Sequence, residues 1–351
     1  MKKIAIAVAA GLSLLSLPTL SAEVSTLSDY FNQDGVIATS ENYPTLESAR
    51  QFVKNQEVVG VNNFRHKREL TPLDEQDVVR MNRDTYYSLA VIDVSEGATV
   101  TLPEIPKGKY MSIQGVTEDH RILPMKYGAG TFELNTTKGD HLYIIVRLDS
   151  TFTKSEAHAI QDKMVITAQS NKVFTAEQVN KASFEQTENA LKAQMPAIFK
   201  RDGATALVGM FTAPNDASKE LFTKEKYAVG AAVGWGGAQI VDNIYEVSGN
   251  YPANKCYQAT FEDPQDQAFW SVTVYNKQGF MFNDVANISS NTADRNTDGT
   301  YTVSFGCGSG APNNLETQNK SGEFNLAFRH YIPSQKVKDG YRILPFVKEK
   351  Q

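Results

Sequence analysis

Residues 85–94 read TYYSLAVIDV, and this run decides the fold class because β-branched and aromatic residues dominate it. Three similar runs follow: ATVTLP at 98–103, KYMSIQGV at 109–116 and HLYIIVRL at 141–148. Turn-forming residues separate them, at Glu96-Gly97, Pro106-Lys107-Gly108 and Lys138-Gly139-Asp140. Because no helical pattern lies between these strands, the sequence predicts antiparallel pairing in a β-sandwich.

A second group of strands fills the last third of the chain. Its segments are CYQATF at 256–261, FWSVTVYN at 269–276, FMFNDV at 280–285, TYTVSFGC at 300–307 and EFNLAFRHYI at 323–332. Hairpin turns are predicted at 276–279 (NKQG) and 296–299 (NTDG). Trp270, Val272 and Val274 alternate with other side chains, which is the period of a strand. We therefore expect a second antiparallel β-sandwich.

Helical patterns lie before and between these β regions. Residues 45–59, 175–200 and 220–247 read as helices, although 230–238 is dense in glycine. Either the helix breaks there or a partner backbone packs very close. The expected fold is mainly β (α+β), with two antiparallel, jelly-roll-like β-sandwich modules joined by a helical segment. The expected boundaries are 1–22 for a signal peptide, 23–165 for the N-terminal module with its leading helix, 166–248 for the helical segment and 249–351 for the C-terminal module.

The N-terminal residues predict export. Lys2 and Lys3 precede an apolar run from Ile4 to Leu17, and small residues follow up to Ala22. This is the pattern of a secretory signal peptide that is cleaved after Ala22, so we expect a periplasmic protein. A membrane anchor is not expected, because the run is shorter than the roughly 20 apolar residues of a span and Pro18 interrupts it.

The charge balance argues against a nucleic-acid partner. The chain has 35 basic and 40 acidic side chains, which gives a net charge of −5. Binding to a phosphate backbone requires a basic face, and no such patch is evident. The expected partner is a small molecule, and the sequence leaves open whether the protein forms a homo-oligomer.

Cofactor and metal motifs are missing. Gly234–Gly237 lies inside a helical pattern, which is the wrong context for a dinucleotide loop. Asp294–Gly299 matches the first half of a calcium loop, but Phe305 stands where the bidentate Glu is required. We therefore expect neither a metal nor a cofactor. Cys256 and Cys307 form either a disulfide, as in many exported proteins, or two buried thiols.

The most unusual stretch is 80–87, RMNRDTYY, because charged, amide and phenolic groups gather where a strand begins. Arg83 can clamp a carboxylate or phosphate through two parallel hydrogen bonds. Asp84 can hold Arg83 or act as a base, and Asn82 and Tyr87 extend the polar set. The alternative is a buried Arg–Asp network that ties a loop to a sheet.

Three further residues are candidates for the same site. His120 follows the acidic pair 118–119, which can raise its pKa and orient its ring for proton transfer; the alternative is a surface loop histidine. Trp235 lies among glycines and can form the floor of an apolar pocket, or it is a core tryptophan. Arg329 shares a strand face with Tyr331, and this face lines either a cleft or the solvent.

The stretch 78–88, VVRMNRDTYYS, resembles a signature of the bacterial family of unknown function DUF1254. Similar motifs are GVNNFRH at 60–66, TEDHR at 117–121, AHAIQD at 157–162 and the helical linker GWGG at 234–237. FWSVTVYNKQGF at 269–280, DGTYTVSFG at 298–306 and FNLAFRHYIP at 324–333 resemble the family of unknown function DUF1214. The likeness runs from about Asn42 to Phe346. It implies two β-sandwich modules joined by helices and supplies no reaction.

The chain departs from these family patterns at two places. Met81 stands where the family signature has a proline, and residues 313–316 read NNLE in place of Asn-Cys-Leu-Pro or Asn-Trp-Leu-Pro. If relatives pair a cysteine there with one near Cys307, that pairing is absent here. This weighs against a disulfide between Cys256 and Cys307.

These features predict a cleft between the two modules that binds a small organic molecule, and a carboxylate-bearing molecule would suit Arg83. If the cleft is catalytic, we expect metal-independent hydrolysis by an activated water, with Asp84 or His120 as the base. The predicted substrate-binding residues are Asn82, Arg83, Tyr87, Trp235 and Arg329. The alternative function is a non-catalytic periplasmic binding module for a glycan or a protein partner. A structural or assembly role is a third reading.

Overall fold

The computed structural model describes residues 22–76, 79–214 and 221–350. Apart from Ala22, the predicted signal peptide lies outside these ranges. The elements up to residue 192 are β1 (Glu23–Val24), α1 (Leu27–Tyr30), β2 (Phe31–Val36), α2 (Tyr43–Val59), β3 (Arg65–Lys67), β4 (Thr85–Asp93), β5 (Ala98–Leu102), β6 (Met111–Thr117), β7 (Lys126–Tyr127), β8 (Gly130–Leu134), β9 (His141–Asp149), α3 (Lys154–Gln161), β10 (Val165–Ala168), β11 (Ala176–Glu177) and α4 (Lys181–Lys192). The elements that follow are α5 (Met195–Asp202), α6 (Lys224–Gly234), β12 (Asn243–Val247), β13 (Tyr251–Pro252), β14 (Tyr257–Phe261), β15 (Phe269–Asn276), β16 (Asn287–Ser289), β17 (Tyr301–Phe305), β18 (Asn314–Leu315), β19 (Glu323–Tyr331), α7 (Gln335–Lys338) and β20 (Lys348–Glu349).

Two larger antiparallel sheets dominate the β part of the N-terminal half, and β1 pairs with β11 in a two-stranded third sheet. The larger has the strand order β3-β4-β9-β6-β7, and the smaller has the order β10-β5-β8. Ile92 and Ile144 of the larger sheet share an apolar core with Val100 of the smaller one, and all three side chains are fully buried. The mainly β prediction with antiparallel pairing is confirmed.

The other face of the larger sheet is covered by helices. Val91 and Tyr143 of the sheet pack with Phe52 of α2 and Val229 of α6 in a second apolar core. Successive residues of a strand point to opposite faces, so Val91 and Ile92 enter different cores. Strand β4 is therefore buried on both sides, which explains why its sequence is almost continuously apolar.

The C-terminal half repeats the two-sheet arrangement. One sheet has the order β12-β19-β15-β16, and the other has the order β18-β17-β14-β20. Trp270, Val272 and Val274 are buried in the shared core with Val303 and Phe328, so the predicted alternation is correct. The opposite face of β15 and β19 is directed at the N-terminal half.

The helical predictions hold only in part. The predicted helix over 175–200 is wrong at its start, where Ala176–Glu177 form β11, and the rest divides into α4 and α5. Pro196 lies in the first turn of α5. The pattern over 220–247 is wrong beyond Gly234, where α6 ends, because residues 243–247 form β12 and pair with β19. The glycine run stops the helix, and the chain enters the second β half before residue 249.

Cys256 and Cys307 form a disulfide, so the departure at residues 313–316 does not prevent this pairing. The two cysteines lie directly beyond the Tyr257–Phe305 pair, which joins β14 to β17. The bond spans 51 residues of sequence. It therefore closes a long loop at the edge of the C-terminal core.

We expect the double variant Cys256→Ser, Cys307→Ser to lose about 4 kcal/mol of unfolding free energy, because its unfolded chain regains the freedom of a long open loop. Urea unfolding with and without a reductant measures this loss. The wild-type midpoint should fall on reduction, whereas that of the double variant should not change. A wild-type midpoint that is insensitive to complete reduction would contradict the prediction.

A buried histidine fastens the C-terminal tail to the sheet. His330 Nδ1 lies 2.7 Å from Asp266 Oδ2, and Nε2 lies 2.9 Å from Glu246 Oε1. Glu246 also accepts hydrogen bonds from the backbone N–H groups of Ile343 and Leu344. Burial alone lowers the pKa of His330, but the hydrogen bonds to the two carboxylates raise it above its usual value.

The raised pKa of His330 predicts a pH-dependent stability. The contribution is complete below the unfolded pKa of about 6.5 and is lost as the pH rises through the higher folded pKa. Urea unfolding from pH 6 upward should therefore show a decline for the wild type, and a smaller decline for His330→Gln. The difference between the two curves isolates His330 from the other histidines. Parallel curves would contradict the assignment.

Candidate functional site

A cavity of about 330 Å³ lies between the two β halves. Strands β4 and β9 form one wall, and β12 and β19 form the opposite wall. Residues of α5 and the end of α6 close one side, and α2, β3 and the segments 69–75 and 79–82 close another. The cavity thus uses the sheet faces that neither sandwich core occupies.

The glycine run after α6 sets the apolar side of the cavity. Helix α6 ends at Gly234, and Gly236 has a positive φ of 70°. A Cβ on Gly237 would lie 2.5 Å from the ring of Phe211, so only glycine permits this close approach. The turn holds Trp235 in the cavity wall, where its ring packs edge-on against Tyr143 at 4.9 Å.

Asn82 joins the two halves beside the cavity. Its Nδ2 donates to Tyr87 Oη at 2.8 Å and to Tyr331 Oη at 3.1 Å. Its Oδ1 accepts the backbone N–H of Asp84 at 3.2 Å. Asn82, Tyr87 and Tyr331 all line the cavity, so one amide fixes a phenol from each half.

Asp84 lies behind this wall and is 1% exposed. Its Oδ2 accepts from Ser271 Oγ at 2.7 Å and from Tyr331 Oη at 3.0 Å, and its Oδ1 accepts from Asn287 Nδ2 at 2.9 Å. Arg329 Nη1 is 3.9 Å from Oδ2. The carboxylate is therefore satisfied by C-terminal side chains and does not line the cavity.

Arg83 and Asp84 do not form a pair, although they are adjacent in sequence. Arg83 Nη1 donates to Asp284 Oδ1 at 3.3 Å, and the Asp284 side chain is 84% exposed. Arg83 is not among the residues of the cavity wall. Both residues precede β4, and each contacts a different residue of the 284–287 segment: Arg83 donates to Asp284, and Asp84 accepts from Asn287.

His120 lies close to the cavity and is sealed from it. Its Nε2 accepts the backbone N–H of Gly236 at 3.1 Å, and its ring stacks on Trp235 at 5.9 Å. Its Nδ1 is buried and has no partner among the described residues. Burial, together with the charge of Arg121, lowers the pKa of His120 to about 3, so the ring is neutral.

Two buried arginines line the cavity, Arg147 from the N-terminal half and Arg329 from the C-terminal half. Arg329 donates to Thr273 Oγ1 at 3.0 Å, to Tyr275 Oη at 2.8 Å and to the backbone oxygen of Arg80 at 2.7 Å. Arg147 lies on β9 and was not predicted as a site residue. The signal for it was available, because Arg147 directly follows the apolar run LYIIV within strand β9.

The family comparison agrees with this two-part architecture. Residues 61–176 match the protein family of unknown function DUF1254, and residues 246–335 match the protein family of unknown function DUF1214. The chain combines a DUF1254 domain with a DUF1214 domain. The first match covers β3 to β11, and the second covers β13 to β19.

Two solved structures share the fold of this DUF1254–DUF1214 chain. A crystal structure of a protein from Vibrio parahaemolyticus has a TM-score of 0.64 at 14% identity, and the alignment covers 89% of this chain and 98% of that one. A putative uncharacterized protein from Burkholderia cenocepacia has a TM-score of 0.53 at 13% identity, with 89% and 86% covered. No curated protein matches the chain.

The predicted site residues fall into two groups. Asn82 and Tyr87 of the DUF1254 domain, Trp235 of the linker and Arg329 of the DUF1214 domain line one cavity. The other three predicted residues, Arg83, Asp84 and His120, lie outside its wall. The roles predicted for them are untested. Within the described ranges, no helix combines the length and the apolar composition that a membrane span needs.

We expect Asp84→Asn to cost about 3–5 kcal/mol of unfolding free energy. The substitution removes the buried negative charge beside Arg329, and the new amide N–H₂ group faces side chains that themselves donate hydrogen bonds. Asp284→Asn is the matched control, since its exposed contact with Arg83 contributes about 1 kcal/mol or less. Urea unfolding at neutral pH compares the two variants. Equal small losses would show that Asp84 does not hold the domains together.

Proposed function

We propose that the DUF1254 and DUF1214 domains together bind a small organic molecule in the cavity between them. The observation that carries this proposal is the make-up of the wall, in which aromatic and apolar side chains surround a few convergent polar groups. The volume of about 330 Å³ is in the range of small-molecule sites. Asn82 and Trp235 would fix opposite parts of such a ligand.

Binding without hydrolysis fits the geometry better than catalysis does. A base must reach its substrate, but Asp84 does not line the cavity and its carboxylate already accepts from three side chains. His120 accepts a backbone N–H through Nε2 and is sealed behind Trp235. A glycan or protein partner would favour aromatic residues in a shallow groove, whereas Trp235 and Tyr143 enclose a deep cavity.

We also propose that the protein works in the periplasm. The predicted signal peptide would direct the chain to an oxidising compartment. The disulfide between Cys256 and Cys307 supports this proposal, because disulfides persist in such compartments. Secretion of the full chain and the mass of its mature N-terminus test the location and the predicted cleavage after Ala22.

Filling the cavity should abolish ligand binding. Val233 lines the cavity on α6, so Val233→Trp would occupy it, whereas Val241→Trp places the same ring at a position that is 58% exposed. Isothermal titration with n-octanol and with octanoate measures binding by the wild type and both variants. We expect at least one probe to bind the wild type and Val241→Trp equally, and Val233→Trp at least tenfold more weakly.

Equal binding by all three proteins would place the probe outside the cavity. A second, aromatic pair of probes is naphthoate and naphthylmethanol. If neither the aliphatic pair nor the aromatic pair binds the wild type, the proposed function is overturned. Thermal unfolding of Val233→Trp shows whether the variant is folded before its binding is compared.

A further inference from the structure

Arg147 is a buried cation that forms no ion pair with a carboxylate of the described residues. It is 8% exposed and lines the cavity. Its Nη1 donates to Gln114 Oε1 at 2.9 Å, and its Nη2 donates to the backbone oxygen of Gly236 at 3.4 Å. Both acceptors are neutral, and none of the ion pairs within the described part of the chain involves Arg147. A guanidinium stays protonated in proteins, so this charge needs a partner.

Arg329 provides the internal comparison. It is equally buried, but Asp84 lies 3.9 Å from it, and Thr273 and Tyr275 accept its N–H groups. Arg147 and Arg329 are thus two buried arginines of the cavity wall, and only Arg329 has a carboxylate within 4 Å. Asp242 is close enough for the charge of Arg147 to act on it, but it forms no ion pair with Arg147 and accepts from Tyr127 at 2.7 Å. Burial raises the pKa of Asp242, which favours its neutral form.

Two phenols add unmatched hydrogen-bond donors near Arg147. Tyr87 Oη accepts from Asn82, and Tyr245 Oη accepts the backbone N–H of Ala238 at 3.3 Å. Neither phenol donates its own hydrogen to an acceptor within the described ranges. The Arg147 guanidinium lies 5.9 Å from the Tyr87 ring centre. A cluster that offers an unpaired positive charge and free O–H donors is complementary to an anion.

The cluster is adjacent to the apolar side of the cavity. Gly236, whose carbonyl oxygen accepts from Arg147, directly follows Trp235, and the ring of Trp235 packs on Tyr143. Ile145 stands two residues before Arg147 on β9 and lines the same wall. A ligand whose charged end contacts Arg147 would therefore lay its remaining atoms on aromatic and aliphatic surface.

We propose that the ligand is an amphipathic carboxylic acid whose carboxylate binds Arg147, with Tyr87 and Tyr245 as additional donors, and whose apolar body packs on Trp235. This inference rests on the proposed binding function and names the ligand class. The sequence suggested that Arg83 binds the carboxylate of the ligand, and the proposal assigns this role to Arg147 instead. Arg83 already contacts Asp284 and lies outside the wall.

The test uses matched pairs that differ in the head group alone. Isothermal titration at neutral pH compares octanoate with n-octanol, and naphthoate with naphthylmethanol. We expect the acid of at least one pair to bind the wild type at least tenfold more tightly than its alcohol. If acid and alcohol bind equally, the ligand class is wrong while the cavity still binds. If no probe binds, the proposed function itself fails.

Variants assign the preference to one arginine. Arg147→Met keeps the length of the side chain and removes its charge, so we expect its preference for the acid to disappear while alcohol binding persists. Retained alcohol binding shows that the cavity is intact. If Arg147→Met binds neither the acid nor the alcohol, Arg147→Lys replaces it, and we expect this variant to show a weaker but measurable preference for the acid. Arg83→Met should keep the full preference. Loss of the preference in Arg83→Met, or its persistence in Arg147→Met, would overturn the assignment.

Discussion

The buried Asp84 carboxylate is the contact that holds the two domains in one geometry. It stands at the start of β4 in the DUF1254 domain, and its partners Ser271, Asn287 and Tyr331 belong to the DUF1214 domain. Burying an ionised carboxylate is costly unless hydrogen bonds and an opposite charge compensate it. These partners can satisfy the carboxylate only in one relative placement of the sheets, so the network fixes the orientation of the two domains.

This network also explains why a cavity survives between two well-packed halves. Each sandwich fills its own core, and Asp84 and Asn82 then fix the distance between the remaining sheet faces. The glycine run after α6 places Trp235 in one side of the cavity wall. The space beside the Trp235 ring is not filled by other side chains of the described residues. Protein interiors are normally close-packed, so a void of this size that is lined by arginine and tyrosine supports the proposal of a bound small molecule.

The sequence predicted the strands well because their signals are local. The run at 85–94 shows β-branched and aromatic residues, and the alternation of Trp270, Val272 and Val274 identifies a core face without any tertiary information. The helical pattern through residue 247 was wrong for a non-local reason. Residues 243–247 are a strand because β19 offers them a sheet edge, and β19 lies about 80 residues away.

The site was predicted only in part, because local sequence does not say which side of a wall a polar residue faces. Asp84 was predicted as a base and Arg83 as a substrate-binding residue, yet Asp84 accepts from C-terminal side chains and Arg83 contacts Asp284, and neither lines the cavity. Arg147 was overlooked because it stands within an apolar strand with no motif around it. Its position had a recognisable meaning: a strand buried on both faces can carry a charge only where a partner or a ligand compensates it. Asp84 compensates Arg329 within the fold, whereas Arg147 forms no ion pair with a described residue, and this difference supports the proposal that an anionic ligand balances its charge.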